Sequence, residues 1–426
     1  MRRGHVGLAV LAAGALGMGV FTAGALGGPK SAHAVPPELK MGVLVPLTGA
    51  LKDFGGPNRK AAFLGRDQIN AAAKAAGVKF KITTFAADTG TDPKKAQVAA
   101  TKVIDGNDAT CAVGPMASSE VIAVAQNVSL DARVPIISPS STADNVRTDV
   151  KDKGFVFRTP TSDALQGPVL AARVKAAVGN GSVVVAAQND AYGTGLVRTF
   201  SDAFKKLGGT LAGNAIIFNA DAATFDSEAG QIVAPNPAAF VIITFPETFE
   251  KLAPALIRTG KWDPKKTWGT DGTRSEDLPG KVGPQGTEGM RGTSATDKGN
   301  SNAAPFDKLW KSKKLGKRQT YDAQMFDAAV LCGLGAIRAG STRGSAIAKQ
   351  IRALSGPPGV KYTPQQLRQA ITAVAAGKDI DYQGASGALD LASDGDPGAG
   401  SYVVWSYTGG KLVDGQVIYR ARATAN

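Results

Sequence analysis

Short apolar runs alternate along the chain with segments whose apolar positions recur at helical spacing. Residues 40–45 (Lys40-Met41-Gly42-Val43-Leu44-Val45) predict a strand, and residues 46–57 a loop rich in turn formers. Residues 58–76 predict a helix that stops at Gly77. A second strand is expected over 78–85, a helix over 93–104, a third strand over 110–113, a helix over 121–130 and a fourth strand over 134–138. This alternation predicts βαβ units and a parallel sheet covered on both faces.

The rhythm restarts after Arg158-Thr159-Pro160. Strands are expected over 183–187, 211–218 and 240–245, with helices over 195–207, about 228–232 and 248–258. Residues 269–302, dense in Gly, Pro, Thr and Ser, predict no long element. Helices are expected over 321–339 and 363–376. The tail reads as a hairpin of strands 402–407 and 412–419 around Gly409-Gly410. The fold class is therefore α/β, with two similar halves side by side. Ligands of such sheets bind beyond the carboxyl ends of the strands.

The length of 426 residues exceeds what one core usually serves, which agrees with two halves. Ahead of the first strand, Arg2 and Arg3 precede an apolar stretch over 6–26. Ser31-Ala32-His33-Ala34 then offers an Ala-x-Ala site, so residues 1–34 read as a removable export signal. No cysteine lies near the cleavage point, so no lipid anchor is expected, and the mature protein is placed in the periplasm, outside the cell or against the cell wall. The two histidines of the chain, His5 and His33, both leave with the signal. Histidine-based triads, acid–base pairs and His-ligated zinc are thereby excluded. No nucleophile elbow, Ser-x-x-Lys, C-x-x-C or P-loop is present. An enzyme is not expected, nor a metal or cofactor.

Net charge is +14 for the chain and +11 once Arg2, Arg3 and Lys30 are removed. The dense basic run at 308–318 contains one aromatic, Trp310, and so lacks the repeated stacking platform of a nucleic-acid surface. It reads as a solvated helix face leading into a loop. Cys111 and Cys332 read as two buried small residues, with a disulfide between them the alternative.

Several strand ends are polar for their surroundings. Cys111-Ala112-Val113-Gly114-Pro115-Met116-Ala117-Ser118-Ser119 runs from a strand into a helix start, and Ile136-Ile137-Ser138-Pro139-Ser140-Ser141-Thr142 repeats the design one strand later. Each alone is a helix cap or a turn; together they put two hydroxyl-rich loops at one end of one sheet. Asn189 through Gly195, Phe245-Pro246-Glu247-Thr248 and Gly269-Thr270-Asp271-Gly272 close strands of the second half. An acid there, facing hydroxyls on the first half, would suit a zwitterion.

These segments together resemble the leucine/isoleucine/valine-binding protein family, the type I solute-binding subunits of ABC importers. The likeness is carried in family order by Val45-Pro46-Leu47-Thr48-Gly49, Ala96 through Ala100, Val113-Gly114-Pro115 with Ser118-Ser119, and Ile137-Ser138-Pro139. It continues in Phe157-Arg158-Thr159-Pro160, Tyr192-Gly193-Thr194-Gly195, Tyr321 through Ala328, and Tyr382 through Gly387. The resemblance implies two Rossmann-like lobes, 35–158 with 290–390 and 159–289 with 391–426, joined by three crossovers and closing on a ligand. It implies an amino acid's carboxylate at Ser118, with Ser119 beside it, and at Ser140 and Thr142. Its ammonium would meet Asp271, and its side chain the walls Phe54, Tyr192, Phe245 and Tyr321. The implied ligand is a small amino acid, branched-chain or otherwise apolar, with an amide- or urea-type solute as the rival. The implied partner is an ABC permease, with a membrane signalling protein the alternative, and the protein itself a monomer. Phe54 and Phe245 stand where some members carry tyrosine, Ala117 where some carry cysteine, and Cys111 and Cys332 do not match the family's cysteine pair.

Overall fold

The structure, a computed structural model, describes residues 34–152 and 154–422. Apart from Ala34, the expected export signal lies outside these residues. Five strands, β1 (Glu38–Val45), β2 (Lys81–Asp88), β3 (Cys111–Val113), β4 (Ile136–Ser138) and β5 (Val156–Arg158), form an all-parallel sheet in the order 2-1-3-4-5. The side chains of β1 alternate as a doubly covered strand requires. Leu39, Met41, Val43 and Val45 enter one apolar cluster, and Leu44 the cluster on the opposite face.

The helix Asp322–Ala339 covers the first of these faces. Every residue from Asp322 to Ile337 is buried, and its apolar surface runs all the way round, as a helix inside a core must. It lies so close to the helix Lys52–Ala75 that a Cβ at Gly65 would come within 2.9 Å of the Phe326 carbonyl oxygen. Cys332 on this helix is bonded to Cys111 on β3, with Cα atoms 6.0 Å apart. The reading of both cysteines as unlinked core residues is thereby corrected: two elements 221 residues apart meet only through the tertiary fold.

A second sheet contains β6 (Ser182–Gln188), β7 (Thr210–Leu211), β8 (Ile216–Phe218), β9 (Ala239–Ile243), β10 (Thr267–Gly269) and β11 (Arg291–Thr296), all parallel. A small third sheet is made by β12 (Val360–Tyr362), β13 (Ile380–Gly384) and β14 (Gly387–Ala388). The expected hairpin, β15 (Ala399–Thr408) and β16 (Lys411–Ala421), adds antiparallel to β11 and turns the second sheet mixed. In β9, Ala239, Val241 and Ile243 point into the large cluster shared with the first half, and Phe240 and Ile242 to the other side.

Several boundaries differ from the expected ones. The strand β11 lies inside a segment expected to hold no long element, and it places residues 291–296 in the second sheet, not in the first lobe that begins at 290. Its sequence, RGTSAT, carries little apolar signal, and hydrogen bonds to β10 on one side and β15 on the other hold it. The second crossing therefore follows Thr296. The first helix begins at Lys52, ahead of the expected start at 58, and accommodates Pro57. The expected strand 211–218 is two short strands, β7 and β8, each paired to β6.

At the crossings a buried charge cluster joins the halves. Asp396, between β14 and β15, is 0% exposed and receives hydrogen bonds from Arg147, Arg158 and Arg422. Arg158, equally buried at the end of β5, also donates to the carbonyls of Ser141 (3.1 Å) and Ala143 (2.8 Å). The three guanidinium groups hold the Asp396 carboxyl well below the usual carboxylate range against the opposing cost of burial.

The disulfide predicts a stability effect. Cys111→Ala with Cys332→Ala should lower the unfolding free energy by about 3–5 kcal/mol, because the bond constrains a long loop of the unfolded chain. Urea unfolding followed by circular dichroism checks this, and superimposable curves would contradict it.

Candidate functional site

The carboxyl ends of the parallel strands of both sheets converge on one small cavity. From the first half, the helix that starts at Lys52 brings Leu51 and Phe54, the loop after β3 brings Met116, Ala117 and Ser118, and the loop after β4 brings Ser140. From the second half, the turn after β6 brings Tyr192, the end of β9 Phe245, and the turn after β10 Asp271 and Gly272. Tyr321 closes the wall. Seven of the nine residues expected from the sequence (Phe54, Ser118, Ser140, Tyr192, Phe245, Asp271 and Tyr321) line this cavity. Ser119 is half-buried and off the wall, and Thr142 is buried behind it.

Local chemistry explains each placement. Gly114 has φ +92°, and a Cβ there would sit 2.0 Å from the Leu44 carbonyl oxygen, so only glycine turns the chain from β3 into the serine loop. Glu120 accepts the Ala117 N–H at 3.0 Å from inside this loop. The Ser140 hydroxyl donates to the Met116 carbonyl at 2.8 Å, and the Ser118 hydroxyl accepts the Ala143 N–H at 3.2 Å. The two hydroxyl loops are thus tied to one another. On the opposite wall, Tyr192 and Phe245 stack with ring centroids 5.3 Å apart.

Asp271 is the electrostatic centre, only 3% exposed. Its Oδ1 accepts from the Tyr192 hydroxyl at 2.9 Å and from Gln166 Nε2 at 2.7 Å, and its Oδ2 from the Tyr321 hydroxyl at 2.8 Å. A carboxylate offers about four acceptor positions, so one on Oδ2 remains. Burial raises its pKa, and the three donors pull it back. Tyr321 reaches the acid from a left-handed backbone conformation, φ +72°, a strained state for a bulky side chain. Such strain next to a binding cavity is held by its surroundings: Asn58 Nδ2 grips the adjacent Thr320 carbonyl at 3.1 Å.

The cavity measures only 20 Å³, about the space of one water molecule. Larger clefts of 430 and 590 Å³ lie outside it, along charged residues beside Tyr321 and along the three crossings. Contacts between the halves seal the rim. Lys281 Nζ bridges to Asp53 Oδ1 at 2.5 Å, the Ser275 hydroxyl donates to Asp53 Oδ2 at 3.0 Å, and Lys52 Nζ meets Glu247 Oε2 at 2.9 Å. Entry of even a small solute requires these walls to part.

Two further polar residues carry no signal of a site in the sequence. Gln166 and Asp163 lie on the helix Asp163–Val178, and both are fully buried beside Asp271. The pair Ser162-Asp163 reads as an ordinary helix start, and Gly167 and Pro168 mask the helical pattern. The basic run at 308–318 behaves as expected at its lysines, which are exposed. Arg318 instead pairs with Asp297 and Asp307, and Trp310 is buried with its indole N–H on the Gly316 carbonyl.

Two doubly wound sheets whose carboxyl ends enclose a polar cavity between them define a two-lobed solute-binding protein. The sequence profile of the periplasmic binding protein family matches residues 38–375, and the chain belongs to that family, of the leucine/isoleucine/valine-binding type. It is 24% identical over 387 residues to a chemotactic signal transduction system substrate-binding protein, BasB, of Halobacterium salinarum, covering 86% of each chain. Leu/Ile/Val-binding proteins of Brucella melitensis, Rhizobium johnstonii and Escherichia coli are 26–31% identical, but the match covers only 44–46% of their own length. Among solved structures, a leucine-binding protein LivK of Thermotoga maritima superposes with a TM-score of 0.72 at 23% identity, over 89% of this chain and 98% of that one. An ABC transporter solute-binding protein of R. palustris in complex with benzoate superposes with 0.67 at 20% identity, over 91% and 98%. Family and fold are those of solute-binding proteins and not of enzymes. Among the described residues, no helix is long and apolar enough to cross a membrane.

Glu120 gives the serine loop a pH signature. Burial pushes its carboxyl up to about 7, partly opposed by the Ala117 N–H. The folded protein therefore holds a proton that the unfolded chain releases near 4.5, so this contribution to stability falls as pH rises from about 4.5 to 7 and is constant above. Glu120→Gln removes it. Thermal melts at pH 5 and pH 8 should show the wild type losing more stability across that interval than the variant, by at most about 3 kcal/mol. Parallel losses would contradict the assignment.

Proposed function

We propose that this protein is the extracytoplasmic solute-binding subunit of an ABC importer, and that it captures a small apolar amino acid between its lobes. The observation that carries this reading is Asp271. It is a buried acid with one acceptor position left, opposite the Ser118 and Ser140 hydroxyls, with Phe54, Phe245 and the Tyr192 ring as apolar walls. An α-amino acid supplies the matching charges: its ammonium goes to Asp271, its carboxylate to the serine loops, and its side chain to the aromatic wall. The Ser118 hydroxyl, which accepts the Ala143 N–H and keeps its own proton, and the backbone N–H groups at the start of its helix can hold a carboxylate, whereas the Ser140 proton is engaged by the Met116 carbonyl.

A carboxylate without an ammonium, such as the benzoate held by the R. palustris protein, fits less well. It would leave Asp271 buried and facing a like charge. An amide or urea derivative would leave the acid without a cation. Export by the signal over 1–34 agrees with the Cys111–Cys332 bond, since disulfides persist in oxidising compartments. Delivery of the occupied form to a membrane signalling protein is the second reading, favoured by the 86% mutual coverage with the chemotactic BasB. Uptake of labelled ligand by cells lacking the protein separates the two: import fails in the first case and continues in the second.

Titration calorimetry of the refolded chain from Val35 against amino acids, urea, acetamide and benzoate tests the ligand. A subset of apolar amino acids should bind with micromolar or lower Kd. Asp271→Ala should weaken them by about 3 kcal/mol, roughly 100-fold, by stranding a buried ammonium. Binding of benzoate or an amide alone, or unchanged affinity in the variant, would overturn the reading.

A further inference from the structure

The cleft of 590 Å³ along the three crossings is separate from the cavity between the lobes, and its volume is that of a small-molecule site, about 300–1,000 Å³. Each crossing supplies a wall. Pro160 and Thr161 follow β5, Asn300 and Asn302 follow β11, and Leu389 and Pro397 lie between β14 and β15. The walls are fastened to one another. Asn302 Nδ2 donates to the Gln383 and Gly384 carbonyls, both at 3.0 Å, and Asn300 Nδ2 to the Ala385 carbonyl at 3.2 Å, which joins the second crossing to the third. The Thr159 hydroxyl donates to the Gln324 carbonyl at 3.0 Å and joins the first crossing to the helix Asp322–Ala339. The cleft is thus preformed, and an occupant has little left to order.

Its lining offers hydrogen bonds that the chain itself leaves unmade. Gln324 lines the cleft and is 5% exposed, yet its side-chain amide makes no hydrogen bond among the described residues. Thr161 is equally buried, and its Oγ1 has no partner among the described residues. A carboxamide carries two donors and two acceptor positions and a hydroxyl both functions, so a ligand with several hydroxyls satisfies these groups in either sense. Leaving them unmade out of water is costly.

Charge narrows the class further. Among the described residues, Lys361 and Asp390 are the only charged residues lining the cleft, one of each sign and both exposed. An ionic ligand would meet its own sign together with the opposite one and find no buried partner. Apolar surface comes in small pieces, from Pro160, Leu389 and Pro397. Tyr419 of β16 also lines the cleft, 66% exposed, and its ring stacks on no other aromatic among the described residues. Neutral hydrogen-bonding groups below, divided C–H surface at the sides and an open aromatic ring match a molecule with hydroxyls on its edge and C–H groups on its faces.

We propose that this cleft is a second binding site and that it takes a small neutral polyhydroxylated solute, a monosaccharide or similar polyol. Hydroxyls of the solute meet the Gln324 amide and Thr161 Oγ1, and a C–H face of its ring lies on Tyr419. The site stands independently of what the lobes hold between them.

Titration calorimetry of the chain from Val35 tests this with D-glucose, D-galactose, N-acetyl-D-glucosamine, myo-inositol and glycerol, beside the charged counterparts D-gluconate and D-glucosamine. At least one neutral probe should bind with a millimolar or lower Kd, more tightly than either charged one. Tyr419→Ala and Gln324→Ala should each weaken it about three- to tenfold, through loss of a ring contact in one and of hydrogen bonds in the other. Tyr419 is exposed, so its removal leaves the core intact, and its result stands even where circular dichroism shows Gln324→Ala unfolded. Binding of no neutral probe, binding of the charged counterparts alone, or unchanged affinity in Tyr419→Ala overturns the proposal. Each of these outcomes leaves the reading of Asp271 as it is.

Discussion

A carboxylate taken out of water must find either a proton or a cation, and Asp271 is built into the seam between two lobes where the chain offers it neither in full. Its neighbours provide two phenol hydroxyls and one amide, which lower the cost of its charge without cancelling it. The remaining deficit is what a ligand's ammonium can fill. Most of the local architecture serves to keep this acid dry and correctly aimed. Tyr321 is held in a strained backbone state to reach Oδ2, and the Tyr192 ring, stacked on Phe245, reaches Oδ1. Gln166 and Tyr192 lie on the same side of the seam as Asp271, while Tyr321 precedes the helix packed on the first sheet, so the Oδ2 contact exists only when the two halves meet.

The same logic links the fold to its motion. The first sheet is parallel throughout and the second is parallel up to its terminal hairpin, so the polar strand ends and their loops collect at one edge of each. The order 2-1-3-4-5 of the first sheet opens a crevice between loops that diverge. Two such edges facing one another make a cleft whose floor is the acid and whose rim carries the Lys281–Asp53 and Lys52–Glu247 bridges. The Lys52–Glu247 bridge, with its lysine exposed, contributes little by itself. The Asp396 cluster at the crossings is different in kind: three arginines converge on one buried carboxylate and tie the crossing segments to one another.

Much of this is legible in the chain. Strand and helix alternation from Lys40 to Ser138, the hydroxyl loops at 114–119 and 138–142, and the turn at Asp271 stand in the sequence because period and turn chemistry are local. What escapes is non-local. The strand Arg291–Thr296 is polar along its length and is a strand only because β10 and β15 flank it. The cysteine bond escapes because nothing local brings residues 221 apart within bonding distance. Asp163 and Gln166 look like a helix start, and their burial against Asp271 follows from the first crossing alone. Ser119 and Thr142 came from the resemblance and stand off the cavity wall, one half-buried beside it and one behind.

The most direct test of the account is a crystal structure of the refolded chain with L-leucine bound. The account predicts the ligand between the lobes, its ammonium within hydrogen-bond distance of Asp271 and its carboxylate against the loops of Ser118 and Ser140. Leucine seated outside this cleft, or in it with no cationic group at Asp271, would contradict it.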